Sequence, residues 1–560
     1  DAGERVREFK SSPKQTPKMF DSTGASSLMK EGSRHYSGLE EAMCRNIDAC
    51  KQLSSMTRSA LGPHGMNKMV INHLEKLFIT SDAATIIRET DVHHPAAKMI
   101  AQAAKMQENE CGDGTNLLIS MAGELMQQAQ DLITMGLHPS EILIGYEKAA
   151  KKSMELLDSL DSYTSENMRD HAELTRLIKG PIASKQFGLE DFLAGLISEA
   201  SIHAMPQGNI GGFSTENVRV QKILGGGIYD SEVVHGMVVT RGSMTSVRRC
   251  TDCKVAVFNT NIEMQQGETK GTVLMKNAED LLNYTKGEEE AFENFVKGLA
   301  EAGIEVVVGS GSMSELAQHY FEKYHIYAVK IMSKWELKRI ARAVGATPIV
   351  KLVTPSPDEL GFANEVAFKE ISSQWCTIFR RDQDENKMAT IVLRGSTTAM
   401  LDDTERAIDN GVSTVKTLIR NPKVLAGAGA TELWLGQQIQ KFAKEQPGLD
   451  QYAVEKFGVS YEVIPRTLAE NAGLKAEKVL ADLNAKSVES SAFGIDVSDG
   501  EVKNAMEASI FDSWETKSWA LKLCFDVVIT ILRVDQIIMS KPSGGPKMDQ
   551  AARRPDGYDE

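Results

Sequence analysis

Along the first stretch of the chain, about thirty residues, apolar positions follow no period, which reads as a loosely attached arm. From Gly38 to Ala60 the pattern turns helical, with Leu39, Met43, Ile47 and Leu53 on one face. Leu61-Gly62-Pro63-His64-Gly65 breaks that helix. Short apolar runs at 68–72 and 77–80 read as strands. A second helix starts near Pro95, a residue suited to a first helical turn, with Ala96, Met99, Ile100, Ala103 and Met106 inward. It stops at Cys111-Gly112-Asp113-Gly114-Thr115. A third runs to about Met135 on Leu118, Met121, Leu125, Ala129 and Leu132, and 139–160 is helical again.

After about residue 160 the texture changes. Gly225-Gly226-Gly227 precedes an alternating segment, Val233 to Val239. From Lys254 to Gly345 strands (306–308, 326–331) alternate with helices (314–324, 336–344), which predicts an α/β region around a central sheet. Between Asn261 and Ala300 lies a polar insertion with a helical second half, read as a projection. From Asp402 onward helix dominates again, through 432–443, 462–471 and 516–534. The tail, 540–560, carries Pro, Gly and charge and reads as disordered. The simplest architecture is a mixed α and α/β multidomain chain, in which both ends build a helical domain and the middle is inserted. Periodicity alone does not show that the two ends meet.

Composition narrows this picture. A chain of 560 residues is too long for one simple core. No apolar run is long enough for a membrane span, and residues 1–18 lack the apolar core of a secretory signal. A net charge of −14 argues against bulk nucleic-acid binding. The seven cysteines are scattered, and the lone C-x-x-C at Cys250 and Cys253 lacks a second ligand pair for zinc. Free thiols in a reducing compartment are the expectation.

Four glycine-bearing turns carry the candidate chemistry: 61–65, Gly112-Asp113-Gly114-Thr115-Asn116, Ser81-Asp82-Ala83-Ala84-Thr85, and Ala426-Gly427-Ala428-Gly429-Ala430. The second sits at a helix start, where glycines let backbone approach a phosphate and free N–H groups favour an anion. Asp113 there suits Mg²⁺. Taken singly, the second and fourth turns read more readily as ordinary capped helix starts, which select Asp and Gly anyway. The chain has no P-loop motif. Val306-Val307-Val308-Gly309-Ser310-Gly311 resembles a dinucleotide turn but lacks its third glycine and an acidic partner. No Ser-His-Asp or Cys-His set stands out.

As an ordered series the turns are specific. Leu61-Gly62-Pro63-x-Gly65-Met66-x-Lys68-Met69, Asp82-x-Ala84-Thr85-Ile86, His94-Pro95-Ala96-Ala97-Lys98 and Gly112-Asp113-Gly114-Thr115 resemble the group II chaperonins. So do Leu393-Arg394-Gly395-Ser396-Thr397, Glu405-Arg406, Gly427-x-Gly429-Ala430-x-Glu432, Glu470-Asn471-Ala472-Gly473-Leu474 and Ile531-Leu532-Arg533-Val534-Asp535. Ser81-Asp82-Ala83-Ala84, Asn116 and the tail 541–547 narrow the resemblance to one subunit type within that family. The resemblance implies an ATP-hydrolysing cytoplasmic subunit of an eight-membered ring with seven paralogous partners. Two rings would stack and enclose unfolded clients such as actin and tubulin, with neither nucleic acid nor membrane as partner.

The implied organisation is a flexible arm (1–35), an equatorial domain (36–160 and 412–539), an intermediate domain (161–229 and 379–411), an apical domain (230–378) with a lid protrusion at about 261–300, and a tail (540–560). The apical helix 336–344, with Lys338, Arg339 and Arg342, would face clients. The cofactors would be ATP or ADP with Mg²⁺. By the same resemblance Asp113 would bind the metal, and Gly114, Thr115, Asn116 and Leu117 the phosphates. Leu61, Gly62, Gly427 and Gly429 would line the nucleotide, and Asp512 would lie near the ribose. Ser184 and Lys185 would reach the nucleotide from the intermediate domain, and Asp82 would stand near the attacking water. The family's segment Glu-Arg-Ser-Leu-His-Asp ends in the aspartate that activates that water. Here Glu405-Arg406-Ala407-Ile408-Asp409-Asn410 ends in Asn410, a far poorer proton acceptor. A subunit that holds Mg-ATP but hydrolyses it slowly or not at all is therefore the alternative expectation.

Overall fold

The computed structural model describes residues 34–37, 39–160, 163–165, 167–208, 210–263, 278–381, 388–488 and 490–539. The tail 540–560, nearly all of the arm 1–35 and the first half of the expected projection lie outside them. The chain divides into two compact units, one made of residues 1–45 and 532–560, the other of 46–531. In the first, strand Arg34–Ser37 pairs antiparallel with Gln536–Met539. The second unit holds the large sheet and most of the helices.

Its helical part is drawn from both halves of the sequence. Pro95–Cys111, Thr115–Thr134 and Pro139–Ser159 come from the first, and Ala430–Glu445, Asp450–Ser460 and Val463–Asn471 from the second. Helix Asp450–Ser460 packs on both Thr115–Thr134 and Pro139–Ser159. The contact is tight because Gly145 faces the Ala453 methyl, and Tyr146 and Phe457 meet edge to face at 5.2 Å between ring centres. The buried Tyr146 hydroxyl donates to the Leu125 carbonyl, so its polar end is satisfied. The two halves of the chain do meet, which periodicity left open.

The middle of the chain forms one mixed eight-stranded sheet. Its order is Val218–Leu224, Ala389–Gly395, Glu232–Val239, Gln374–Arg380, Gly361–Ile371, Arg249–Phe258, Ile304–Ser310, Tyr327–Ile331. The last three strands run parallel, as do the first two. Alternation explains how helices cover both faces. Val255, Val257, Val306 and Val308 join one core with helix Lys334–Val344, while Ala256, Phe258 and Val307 join another with Phe292, Val296 and Leu299. Those last three side chains belong to helix Ala278–Glu301, so the end of the stretch expected to project is sheet-covering core. The glycine turn after strand Ile304–Ser310 is tight packing: Gly309 abuts Ile262 and Met313.

Helices His171–Ala183, Glu190–Ala204 and Thr398–Arg420 form a third core with strands Val218–Leu224 and Ala389–Gly395. Of these, only the C-terminal part of the last was legible as helix. Cys250 and Cys253 are buried and unpaired, and burial pushes their thiols up to about 11 and 12. Among the described residues there is no metal-binding cluster, and no helix is long and apolar enough to cross a membrane.

Candidate functional site

A cleft of about 470 Å³ is walled by residues drawn from several distant segments: 60–63, 113–114 and 116–117, parts of 179–190, Thr414, Ala428, Gly429 and Glu432, 495–498, and parts of 508–517. Two helices begin at it. Thr115–Thr134 starts from Gly114 (φ +81°) and Ala430–Glu445 from Gly429 (φ +77°), both left-handed, a region that disfavours a Cβ. Neither helix has a side-chain cap; the Ala430 N–H is taken by the Gly427 carbonyl, and the other first-turn amides and the positive end of each dipole stay open to an anion. A methyl on Gly114 would also stand 3.0 Å from Gln107 and Thr516. Gly114→Ala is expected to cost about 1–2 kcal/mol of stability and to weaken anion binding. Denaturant unfolding and ligand titration would check the two effects separately.

The walls are tied together by amide side chains. Buried Gln107 donates to the Asp113 carbonyl (2.8 Å) and the Thr516 carbonyl (3.1 Å), joining two parts of the wall some four hundred residues apart. Asn471 donates to the carbonyls of Arg58 (3.1 Å) and Leu61 (2.8 Å) and so fixes the 61–65 turn. Asn116 donates to the Thr57 carbonyl and accepts from Ser120. Its side chain is thus committed to packing, and backbone is what it offers an anion.

Asp113 lies in the wall between its two glycines. Burial pushes its carboxyl up; Lys185 and the Gly114 N–H oppose this, and Asp512 and Asp82 add to it. A hard cation at this carboxylate would relieve the crowding of negative charge, so the donor set fits Mg²⁺. Lys185 donates to Asp82 at 3.0 Å, with both side chains about one-tenth exposed. Asp82 caps helix Ala83–Glu89 by accepting from the Thr85 N–H (3.0 Å) and hydroxyl (2.8 Å). Burial works against its charge, but Lys185 and these bonds outweigh it and bring the carboxyl to about 2.

The neighbours of Lys185 grip other elements. Gln186 donates to Asp403 at 2.5 Å, and Phe187 packs on His64 at 4.9 Å between ring centres. Ser184, Lys185 and Phe187 all line the cleft, as do residues 61–63.

Leu61, Gly62, Asp113, Gly114, Asn116, Leu117, Ser184, Lys185, Gly429 and Asp512 are thus brought together in one wall. Thr115 is buried beside it, Asp82 stands behind Lys185, and the Gly427 N–H is bonded to the Ile510 carbonyl. Asn410 is outside the wall, one turn before Thr414, which is in it; the Asn410 amide nitrogen is buried without a partner. Several wall residues escaped sequence reasoning. Residues 495–498 follow a three-residue strand too short to show a period. Glu432 and Lys517 did leave a signal, as charged residues where the helix buries its face.

The chain is similar to known proteins over nearly its whole length. The model of the TCP-1/cpn60 chaperonin family matches residues 53–542. The T-complex protein 1 subunit theta of Arabidopsis thaliana is 47% identical over 540 residues, covering 96% of this chain and 98% of that protein. The Dictyostelium discoideum subunit theta is 46% identical over 525 residues (94% and 98%), and the Homo sapiens subunit theta 47% over 531 (94% and 96%).

Proposed function

Because this chain belongs to the TCP-1/cpn60 chaperonin family, a family of ATPases, we propose that its large cleft binds ATP with Mg²⁺. We propose further that the chain is the theta-type subunit of a hetero-oligomeric double ring that folds cytosolic proteins. The observation that carries the nucleotide reading is the pair of uncapped, glycine-started helix N-termini facing one cleft that also holds Asp113. The similarity to subunit theta over nearly the whole chain supports the assembly: seven paralogous partners in each eight-membered ring, located in the cytoplasm, with unfolded proteins such as actin and tubulin as clients.

In this reading Asp113 holds the metal, which when bound would offset charge on the phosphate oxygens. Gly114 lets the chain approach closely, and the amides of residues 115–117 and the turn at Gly429 receive the phosphates. The 61–63 turn, held by Asn471, closes one side. Lys185 presents a buried positive charge, kept protonated because Asp82, Asp113 and Asp403 outweigh its burial. Residues 36–160 and 412–539 would act as the equatorial domain, 161–229 and 379–411 as the intermediate domain, and 230–378 as the apical domain.

A second reading concerns turnover. The amide nitrogen of Asn410 lacks a partner, and its neighbour Asp409 is exposed on another face of the helix. No carboxylate therefore stands at position 410, which favours a subunit that holds nucleotide and hydrolyses it slowly. Imaging the assembled ring after incubation with Mg-ATP tests both. ADP in this cleft would mean that Asp82, Asp113 and Asn410 together support hydrolysis. Persistent ATP here beside ADP in neighbouring subunits would establish the slow reading, and an empty cleft beside filled neighbours would overturn the nucleotide assignment.

A further inference from the structure

In the wall of the cleft lies an ion cluster in which Asp512, expected near the ribose from the family resemblance, is joined by two buried groups to which that resemblance gives no role. Lys517 donates to Glu432 Oε1 at 2.6 Å and pairs with Asp512 Oδ2 at 2.9 Å. The Lys517 and Glu432 side chains are each 4% exposed, whereas Asp512 is 37% exposed. All three line the cleft, and the second carboxylate oxygen of Glu432 is buried with no partner.

This is an expensive arrangement for packing alone. A buried ion pair contributes little net stability compared with apolar side chains of similar volume, because both charges lose their water. Lys517 also sits in the first turn of helix Trp514–Leu532, where the helix dipole disfavours a cation. It stays charged nonetheless: burial opposes the ammonium, but Asp512 and Glu432 outweigh burial. An isolated Lys517–Asp512 pair would balance its charges within itself. The addition of Glu432 leaves the cluster one negative charge in excess, and the exposed member, Asp512, is where a ligand can meet it.

Geometry gives that excess a use. Asp512 lies on strand Phe511–Ser513, held in register opposite Leu425. With Oδ2 engaged by Lys517, its carboxylate is restrained from turning, and Oδ1 remains to accept hydrogen bonds from the cleft. A restrained carboxylate of this kind suits hydroxyl groups, which donate, rather than phosphates, which repel it. We propose that Glu432 and Lys517 are positioning residues that hold Asp512 to receive the sugar hydroxyls, and so set the cleft's preference for a ribonucleotide over its 2′-deoxy analogue. This rests on the nucleotide reading above. It adds to it which buried groups make the sugar recognition selective.

The test is a competition on the assembled ring. This chain is photolabelled with 8-azido-ATP, and ATP or 2′-deoxy-ATP is added as competitor, with the adduct on this chain quantified by mass spectrometry. Wild type is expected to favour ATP about tenfold, the weight of one hydrogen bond to a charged acceptor. Lys517→Met should bring that ratio to about twofold or less, since the carboxylate is no longer restrained. Lys517→Arg, which keeps the charge, should retain most of it. If Lys517→Met does not assemble, Lys517→Met with Glu432→Gln removes both buried charges and should show the same lost preference. Asp512→Asn, altering the receiving group itself, should lose it too. Equal weakening of both competitors, with the ratio unchanged, would give the pair a purely structural role and overturn the proposal. So would a wild-type ratio near one. A wild-type chain that takes no label, beside labelled neighbours, would overturn the nucleotide reading itself.

Discussion

Asn410→Asp is expected to raise the single-turnover rate of ATP hydrolysis at this chain's own site by about 10²–10⁴-fold, the usual weight of a general base. The expectation follows from what position 410 can and cannot do. Asn410 lies on helix Thr398–Arg420, one turn before Thr414 of the cleft wall, so the two share a face. The Thr414 hydroxyl donates to the Asn410 carbonyl, and the Asn410 amide nitrogen has no partner. An amide oxygen can orient a water molecule, but it cannot take up its proton at neutral pH. Asp409 cannot stand in, because adjacent helix residues point roughly 100° apart. Asp403, two turns earlier on the same face, is occupied with Gln186 and Arg406. Rapid mixing of the ring with labelled ATP, at enzyme excess, would read the rate. An unchanged rate in Asn410→Asp would show that Asp82 and the metal suffice, and would remove the slow-subunit reading.

How far the sequence carries this picture depends on the range of the forces involved. Helices such as Thr115–Thr134 and Pro139–Ser159 were readable because one buried stripe repeats along many turns. The glycine turns were readable as turns, and their order was readable as a family. What local pattern could not supply was assembly. Helix Asp450–Ser460, which holds the two halves of the chain together, is buried on several sides and has little amphipathic signal. The sheet order places strand Ala389–Gly395 between two strands from more than 150 residues earlier, a pairing that no alternation pattern specifies. The site follows the same rule. Asp113 and Gly114 announce themselves at a helix start, whereas Lys517 and Glu432 acquire meaning only when Asp512 is folded against them. Asn116 shows the converse, a polar side chain in a phosphate-like motif that the fold spends on the Thr57 carbonyl.

Lys185→Met is expected to destabilise the chain at neutral pH by about 3–5 kcal/mol, the penalty for stranding a buried charge. In the native fold the Asp82 carboxyl, brought to about 2 against an ordinary value of 3.8, contributes stability that is present above about pH 4. That contribution is lost as pH falls from about 4 towards 2, where the folded chain must also take up the proton. Without Lys185 the balance reverses. Thr85 still donates twice, but burial then dominates and raises the carboxyl, so the variant binds a proton more readily than the unfolded chain does. Acidification should therefore relieve Lys185→Met while it weakens wild type, and the two unfolding curves should converge below about pH 4. Asp82→Asn in the Lys185→Met background removes the stranded charge and should recover a large part of the loss. The coupling in this double-mutant cycle measures the pair itself. A Lys185→Met penalty that is independent of pH, or additive with Asp82→Asn, would show that the ammonium and carboxylate do not depend on one another. Segment 184–187 would then be held at the cleft by Gln186 and Phe187 alone.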